Sequence, residues 1–180
     1  MATALKNLSE YTSSGFGDLS QTRIGIVVSE WNDQITNALF QGAMETLIKE
    51  GVKQKNIVVK TVPGSFELTI GAQHLLQTHN SPKKNSFLTK GWFFDNYDSF
   101  YQSKLDAVIC LGCVIQGETR HFEFICNAVA EGITNVGIKY NRPVIFGVLT
   151  TDNLQQAIDR SGRKHGNKGV EAAITALKML

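Results

Sequence analysis

The sequence predicts an α/β protein, a three-layer α/β/α sandwich built around a four-stranded parallel sheet. Short β-branched runs alternate four times with segments of helical periodicity along the 180 residues. Hydrophobic residues make up 42% of the chain, which is enough for one substantial core. Repeated strand–helix–strand units form right-handed crossovers, and these place helices on both faces of a parallel sheet.

The first strand–helix unit occupies residues 23–51. Arg23–Ser29 is a short, β-branched run typical of a buried parallel strand. Asn32 or Asp33 can cap the helix that follows, and Gly51 ends it. The apolar stripe of this helix has i+4 spacing and consists of Ile35, Leu39, Ala43 and Leu47.

Three more units follow. Pro63–Gly64 stops the second strand, and Glu67 lies in the first turn of the next helix, where the helix dipole favours an anion. Thr151, Asp152 or Asn153 can cap the fourth helix. The predicted segments are strand Asn56–Val62, helix Ser65–Gln77, strand Leu105–Leu111, loop Gly112–Thr119, a helix to about Asn135, strand Pro143–Leu149, a helix to about Arg160, a Gly-rich break Ser161–Asn167 and a last helix to Leu180. This alternation predicts a sheet of flavodoxin-like winding.

Two segments do not fit the alternation. Residues 1–22 are polar, and we interpret them as a flexible arm or an added edge strand preceding a single domain over residues 23–180. Residues 80–103 form an insertion, because the connection there is far longer than the usual 2–6 residues. Its second part, Trp92–Tyr101, is densely aromatic. This insertion is either a lid or partner-docking loop, or a surface segment packed on its own domain, which is the favoured reading.

The composition excludes several classes of protein. The net charge of +2 gives no reason to expect binding to nucleic acid or to an acidic membrane. No apolar run approaches the length that spans a bilayer, and no apolar signal core precedes the first strand, so we expect a cytoplasmic protein. The three cysteines are expected to be free thiols, buried or half-buried; they are Cys110, Cys113 and Cys126. A metal site at the single C-x-x-C would need a second pair of ligands, which the sequence does not offer.

Open parallel sheets bind ligands in a crevice outside the carboxyl ends of their strands. Four loops meet that condition, and they are Glu30–Asn32, Pro63–Glu67, Cys113–His121 and Phe146–Asp152. The third loop carries two glycines and a threonine before a helix start, so its backbone N–H groups can hold an anion. It lacks the Gly-Lys-Ser/Thr ending of a P-loop.

Several side chains near these loops could carry chemistry. His121 falls in the first helical turn and suits proton transfer near neutral pH, although it could equally serve only as a cap. Trp31 could stack on a flat heterocycle or anchor a helix. Arg160 and Lys168 flank the Gly-rich break as the cations nearest the fourth helix end. The other histidines, His74, His79 and His165, are expected to be solvated.

Taken together, five ordered motifs resemble the 6,7-dimethyl-8-ribityllumazine synthase family from about Arg23 to the carboxyl terminus. The motifs are Trp31-Asn32, Val62-Pro-Gly-Ser-Phe-Glu67, Leu111-Gly-Cys-Val-Ile-Gln-Gly-Glu-Thr-Arg-His121, Pro143-Val-Ile-Phe-Gly-Val-Leu-Thr150 and Arg160 followed by Gly166-Asn-Lys-Gly-Val-Glu-Ala-Ala173. The resemblance implies condensation of 5-amino-6-(D-ribitylamino)uracil with 3,4-dihydroxy-2-butanone 4-phosphate, without a metal or organic cofactor, in the penultimate step of riboflavin biosynthesis.

The resemblance also implies roles for individual residues. His121 matches the proton-transfer histidine. The pyrimidine with its ribityl chain would be held by Trp31, Ser65, Phe66, Glu67, Cys113, Val114, Ile115 and, from a neighbouring subunit, Phe146. The phosphate substrate would be held by Glu118, Thr119, Arg160 and Lys168. Members are homopentamers, and some pack twelve pentamers into an icosahedral shell. The short break at 162–169 resembles that of the shell-forming members.

The chain departs from the family pattern at the insertion and at Arg120, which stands where a smaller residue is more usual. Two alternative functions stay open. One is the related archaeal-type riboflavin synthase, which dismutates two lumazines, and the other is a non-catalytic lumazine- or flavin-binding shell protein. A receiver-type signalling domain is set aside, because Ser29-Glu30 and Gly112-Cys113 stand where its acidic cluster would be.

Overall fold

A computed structural model describes residues 9–11, 15–80 and 104–180 of the chain. The predicted insertion at 80–103 therefore lies outside the described residues, except for Asn80. The strands are β1 Ile24–Ser29, β2 Ile57–Val62, β3 Ala107–Ile115, β4 Val144–Thr151, β5 Ser161–Arg163 and β6 Gly166–Asn167. The helices are α1 Asp33–Lys49, α2 Leu68–Asn80, α3 His121–Tyr140, α4 Leu154–Asp159 and α5 Lys168–Lys178. Two 3₁₀ turns, Gln54–Asn56 and Ser65–Glu67, precede β2 and α2.

The first four strands form one parallel sheet in the order β2-β1-β3-β4. From β1, the chain moves to one side to form β2 and then to the other side to form β3. The connections that follow β1 and β3 therefore run in opposite directions at the carboxyl ends of these two strands. They leave a crevice between them, which is the place where open parallel sheets bind ligands. The predicted fold class is confirmed.

Side chains of the sheet alternate between two hydrophobic layers. Ile26 belongs to the layer that contains Leu39 of α1 and Ala173 of α5, whereas the next residue, Val27, belongs to the layer that contains Leu76 of α2 and Ile133 of α3. All six are at most 1% exposed. Both faces of the sheet are therefore covered, which explains the continuous apolar runs of its central strands.

Several boundaries differ from the predicted ones. Strand β3 continues to Ile115, where a loop was predicted, because β4 runs on to Thr151 and offers backbone partners for the extra residues. Helix α3 continues to Tyr140 and ends at Asn141, whose left-handed backbone terminates it. The helix predicted over 65–77 is a 3₁₀ turn followed by α2, which extends to Asn80.

The Gly-rich break before α5 is a small antiparallel hairpin made of β5 and β6. Gly162 and Gly166 have φ values of 120° and 80°, a region that favours glycine. Asn153 caps α4 as expected, since its side-chain oxygen accepts the Gln156 N–H at 3.0 Å. Asn167 caps α5 in the same way by accepting the Gly169 N–H at 2.7 Å.

The described part of the amino-terminal segment packs on the layer of α1 and α5. Ser9 hydrogen-bonds to the backbone of Asn167. Tyr11 donates a 2.9 Å hydrogen bond to Glu50, and burial together with this carboxylate raises the pKa of Tyr11 to about 12. Among the described residues, none of the helices has the length and apolar character needed to cross a membrane.

Candidate active site

The loops after β1, β2 and β3 enclose a cleft of about 520 Å³ at the carboxyl edge of the sheet. Backbone hydrogen bonds join the first two loops, because the Glu30 N–H donates to Val62 and the Trp31 N–H donates to Pro63. The cleft is lined by Trp31, Asn32, Gly64, Ser65, Phe66, Glu67, Cys113, Val114, Ile115, His121 and Ile125. Eight predicted site residues are thus brought together in one cavity.

Two large aromatic side chains of the cleft remain exposed. Trp31 is 68% exposed and Phe66 is 56% exposed. The indole of Trp31 packs so closely on Gly64 that a Cβ at that glycine would lie 3.2 Å from an indole carbon. Exposed aromatic rings in a cleft are typical of a ligand-binding surface, since they bury their apolar faces only when a ligand stacks on them.

The turn Ser65–Glu67 forms a polar wall. The carboxylate of Glu67 accepts the Gly64 N–H at 3.0 Å, and the Glu67 N–H donates to the Gly64 carbonyl at 3.2 Å. This reciprocal pair fixes the turn that leads into α2. The wall therefore presents a carboxylate, a hydroxyl and backbone groups to the cleft, which suits a polyhydroxylated ligand.

The end of β3 forms the apolar wall, with Cys113 buried and Val114 and Ile115 half-buried. Burial raises the pKa of the Cys113 thiol to about 11 and that of Cys110 to about 12. All three cysteines are free, and the expected burial of the thiols is confirmed. Cys113 accordingly faces the ligand space as a neutral thiol.

His121 is the first residue of α3, as predicted, and its exposed side chain lines the cleft. The backbone N–H of His121 donates to the hydroxyl of Thr119 at 3.4 Å. Glu118 and Thr119 line a second hollow of about 230 Å³, which the residues between β3 and α3 form together with Arg120. The start of a 20-residue helix favours an anion in this hollow.

Three predicted site residues line neither the cleft nor the second hollow of their own chain. Phe146 lies on β4, half-buried against the hydrophobic layer of α2 and α3. Arg160 directly follows α4, and Lys168 begins α5. Both cations contact Glu171, with Arg160 Nη2 at 2.6 Å and Lys168 Nζ at 3.1 Å from its two carboxylate oxygens.

Sequence reasoning missed some residues of the site and misplaced one histidine. Asn32, one of the two residues expected as a cap of α1, occupies the N-cap position without a side-chain cap hydrogen bond, and it lines the cleft. Ile125 lies four residues after His121, a spacing that could have revealed it as the next cleft residue on the same helix face. His79, expected to be solvated, is only 2% exposed because it belongs to the buried face of α2.

The fold and the cleft together define an α/β protein with a small-molecule-sized cleft at the carboxyl edge of a parallel sheet, lined by exposed aromatic rings and a histidine. The family model for 6,7-dimethyl-8-ribityllumazine synthase matches residues 21–180. The chain belongs to this family, so the resemblance noted in the sequence is confirmed. It is an enzyme of riboflavin biosynthesis, a transferase that catalyses a condensation step.

Close relatives bear the same family name. Those of Cytophaga hutchinsonii and Parabacteroides distasonis are 56% and 50% identical to this chain over 180 residues, covering 100% of this chain and 98% of each relative. A relative from Flavobacterium johnsoniae is 49% identical over 179 residues, covering 99% of this chain and 82% of its own length. The first two matches span the whole chain and so include the insertion at 81–103.

Proposed function

We propose that this chain makes 6,7-dimethyl-8-ribityllumazine from 5-amino-6-(D-ribitylamino)uracil and 3,4-dihydroxy-2-butanone 4-phosphate, with release of phosphate and water. The catalytic domain would span residues 23–180. The observation that carries the proposal is the single cleft in which exposed aromatic rings, a carboxylate and a histidine line one cavity. No metal or organic cofactor is required for this reaction, which consists of proton transfers, an imine formation and an elimination.

The pyrimidine would stack on Trp31. Phe66, Val114 and Ile115 would form apolar contacts with the rest of the ring. The ribityl hydroxyls would bind along the turn Ser65–Glu67, where a carboxylate accepts hydrogen bonds and backbone groups offer both donors and acceptors. Cys113 would contribute an apolar, uncharged surface, since its thiol stays protonated. Holding both substrates in this slot supplies much of the rate enhancement through orientation.

His121 would move the protons. The amine of the pyrimidine attacks the ketone of the second substrate and forms an imine by loss of water, after which the phosphate leaves by elimination and the ring closes with loss of a second water. Each step transfers protons between nitrogen, carbon and oxygen atoms, and an exposed imidazole at the cleft can accept and return them near neutral pH.

The phosphate would bind at the hollow before α3, with the backbone at Glu118 and Thr119 donating hydrogen bonds. Arg160, Lys168 and Phe146 would come from a neighbouring copy. Their absence from the cleft of their own chain supports this sharing. A cation beside the leaving phosphate stabilises the charge that develops as the bond breaks.

A shared site requires an oligomer, and we propose a homopentamer that can assemble further into a shell of twelve pentamers. Exposed apolar side chains support a protein interface on α3, where Phe124 and Ile138 are 70% and 73% exposed. Native mass measurement separates the monomer, the pentamer and the shell. We further propose a cytoplasmic location, which fits three free thiols.

The test supplies both substrates and follows lumazine and phosphate together. We expect the two products in equal amounts. Lumazine given alone should yield no riboflavin, and its conversion to riboflavin would instead support the dismutating enzyme. Binding of lumazine without turnover of the two substrates would support a non-catalytic binding protein and would contradict the proposal.

A further inference from the structure

Asn32 follows Trp31 and has an unusual backbone conformation for a residue at a helix start. Its backbone is left-handed, with φ 60° and ψ 46°, and it precedes the first residue of α1. Asparagine is one of the few residues that adopts this conformation readily. At a helix start its side chain normally accepts a backbone N–H, but here it forms no such bond. The amide is therefore available for another contact.

That contact crosses the cleft. Strand β1 pairs with β3 only as far as Leu111, so the carbonyl of Cys113 has no partner in β1. The Asn32 Nδ2 group donates to this carbonyl at 3.0 Å, and the Ser65 hydroxyl lies farther away at 3.5 Å. A carbonyl only accepts hydrogen bonds, so the nitrogen of the amide must be the atom that faces it.

Trp31 is consequently anchored on two sides. Its own N–H donates to the Pro63 carbonyl at 3.1 Å, which ties it to the turn after β2. The next residue, Asn32, ties it to the end of β3. The indole lies between these anchors, packed on Gly64 and otherwise exposed. Loss of the Asn32 hydrogen bond would leave the backbone beside the indole attached to the turn after β2 but not to the end of β3.

We infer that Asn32 is a positioning residue, which fixes the indole of Trp31 over the cleft through its left-handed backbone and its hydrogen bond to Cys113. This inference rests on the proposed function in one respect, because it takes the pyrimidine as the molecule that stacks on the ring. A misplaced stacking surface weakens the binding of the pyrimidine, whereas the binding of the phosphate substrate, which lies elsewhere, changes little.

The experiment compares Asn32→Gly with Asn141→Gly. Asn141 is the other described non-glycine residue with a positive φ, at 48°, and it lies at the opposite end of α3 from the cleft. Glycine accepts the left-handed backbone at both positions, so the first variant removes the amide without forcing a new conformation. Asn32→Asp is a second variant, of the same shape but unable to donate. All variants carry Trp92→Phe, which leaves Trp31 as the single tryptophan.

Three quantities are measured: the fluorescence anisotropy of Trp31, the quenching of its emission by the pyrimidine alone, and KM for each substrate. We expect Asn32→Gly and Asn32→Asp to lower the anisotropy and to raise KM for the pyrimidine about tenfold, while KM for the phosphate substrate changes less than about twofold. Asn141→Gly should match the parent protein in all three.

Equal anisotropy and equal KM values in Asn32→Gly and Asn141→Gly would overturn the inference. So would an equal rise of both KM values, which would indicate a general loss of structure. If the parent neither binds the pyrimidine nor makes lumazine, the proposed function fails, but the anisotropy still decides whether Asn32 holds the indole.

Discussion

At the scale of single residues, the cations near α5 share one carboxylate. Glu171 contacts both Arg160 and Lys168, and Arg160 also donates a 2.6 Å hydrogen bond to the His165 carbonyl. The guanidinium is therefore held in place before any ligand arrives. Two cations against one anion leave a net positive charge, which suits the recognition of a phosphate on a second subunit.

Replacing Arg160 with alanine tests its proposed role. We expect kcat/KM to fall by about 100-fold or more, because the leaving phosphate loses its principal cation. The fold should persist, since Lys168 still neutralises Glu171 at 3.1 Å. The matched control is Arg163→Ala, an exposed arginine of β5, which should leave turnover unchanged. Unchanged turnover in Arg160→Ala would remove this residue from the mechanism.

The thiol of Cys113 provides a prediction about pH. Its pKa of about 11 lies above the ordinary value of 9.0, so only about 0.1% is thiolate near pH 8. Because the thiolate is the reactive form, we expect iodoacetamide to modify Cys113 slowly at this pH and faster as the pH rises toward 11. Mass spectrometry of peptides measures the labelling, with urea-unfolded protein as the control. Equal labelling of folded and unfolded protein near pH 8 would show that Cys113 is not buried.

At the scale of elements, the packing of α1 on α5 depends on glycines. A methyl group on Gly169 would overlap the backbone carbonyl of Leu39, and one on Gly42 would lie 2.7 Å from the side chain of Asn167. Asn167 in turn donates to the Ala38 carbonyl at 2.9 Å and caps α5. These contacts fix the start of α5, at Lys168, against α1 and the hairpin.

The substitution Gly169→Ala is expected to lower the free energy of unfolding by about 3 kcal/mol or more, since neither backbone can give way without separating the helices. Urea denaturation measures the change. Gly117→Ala is the control for stability, because a methyl group there meets no atom within 4 Å. A loss smaller than that of the control would show that α1 and α5 are not in close contact at this point.

At the scale of the whole molecule, the proposed function implies that one chain supplies an incomplete site. His121 lines the cleft, whereas Arg160 does not, and the apolar side chains of Phe124 and Ile138 on α3 are exposed. If each site takes His121 from one chain and Arg160 from its neighbour, chains that lack His121 and chains that lack Arg160 can together form some sites with both residues intact.

Mixed assemblies of His121→Ala and Arg160→Ala chains test this arrangement. Each variant alone should be at least about 100-fold slower, although His121→Ala should retain slow turnover, because orientation of the substrates persists. In a random mixture about one quarter of the sites contain both intact residues, so activity should recover to about one quarter of that of the unmutated protein. Separately assembled variants, mixed afterwards, are the control. Failure of the mixture to exceed this control would indicate that each site lies within one chain.

The sequence by itself determined the layers, the order of the elements and eight of the residues that line the cleft. The apolar pattern places Ile26 and Val27 on a buried strand. The order of the motifs predicts that Trp31, Glu67 and His121 lie at one edge of the sheet, because the carboxyl ends of parallel strands lie at the same edge. Local patterns also narrowed the cap of α4 to Thr151, Asp152 or Asn153, since capping involves residues only a few positions apart, and the structure selects Asn153.

Only the tertiary structure decided the features that depend on distant partners. The extension of β3 to Ile115 depends on backbone pairing with β4. The burial of His79 depends on the packing of one face of α2 against the rest of the protein. Asn32 is the clearest case, because its hydrogen bond reaches a carbonyl 81 positions away. Such contacts arise from the close approach of chain segments in the folded state, and no spacing along the sequence encodes them.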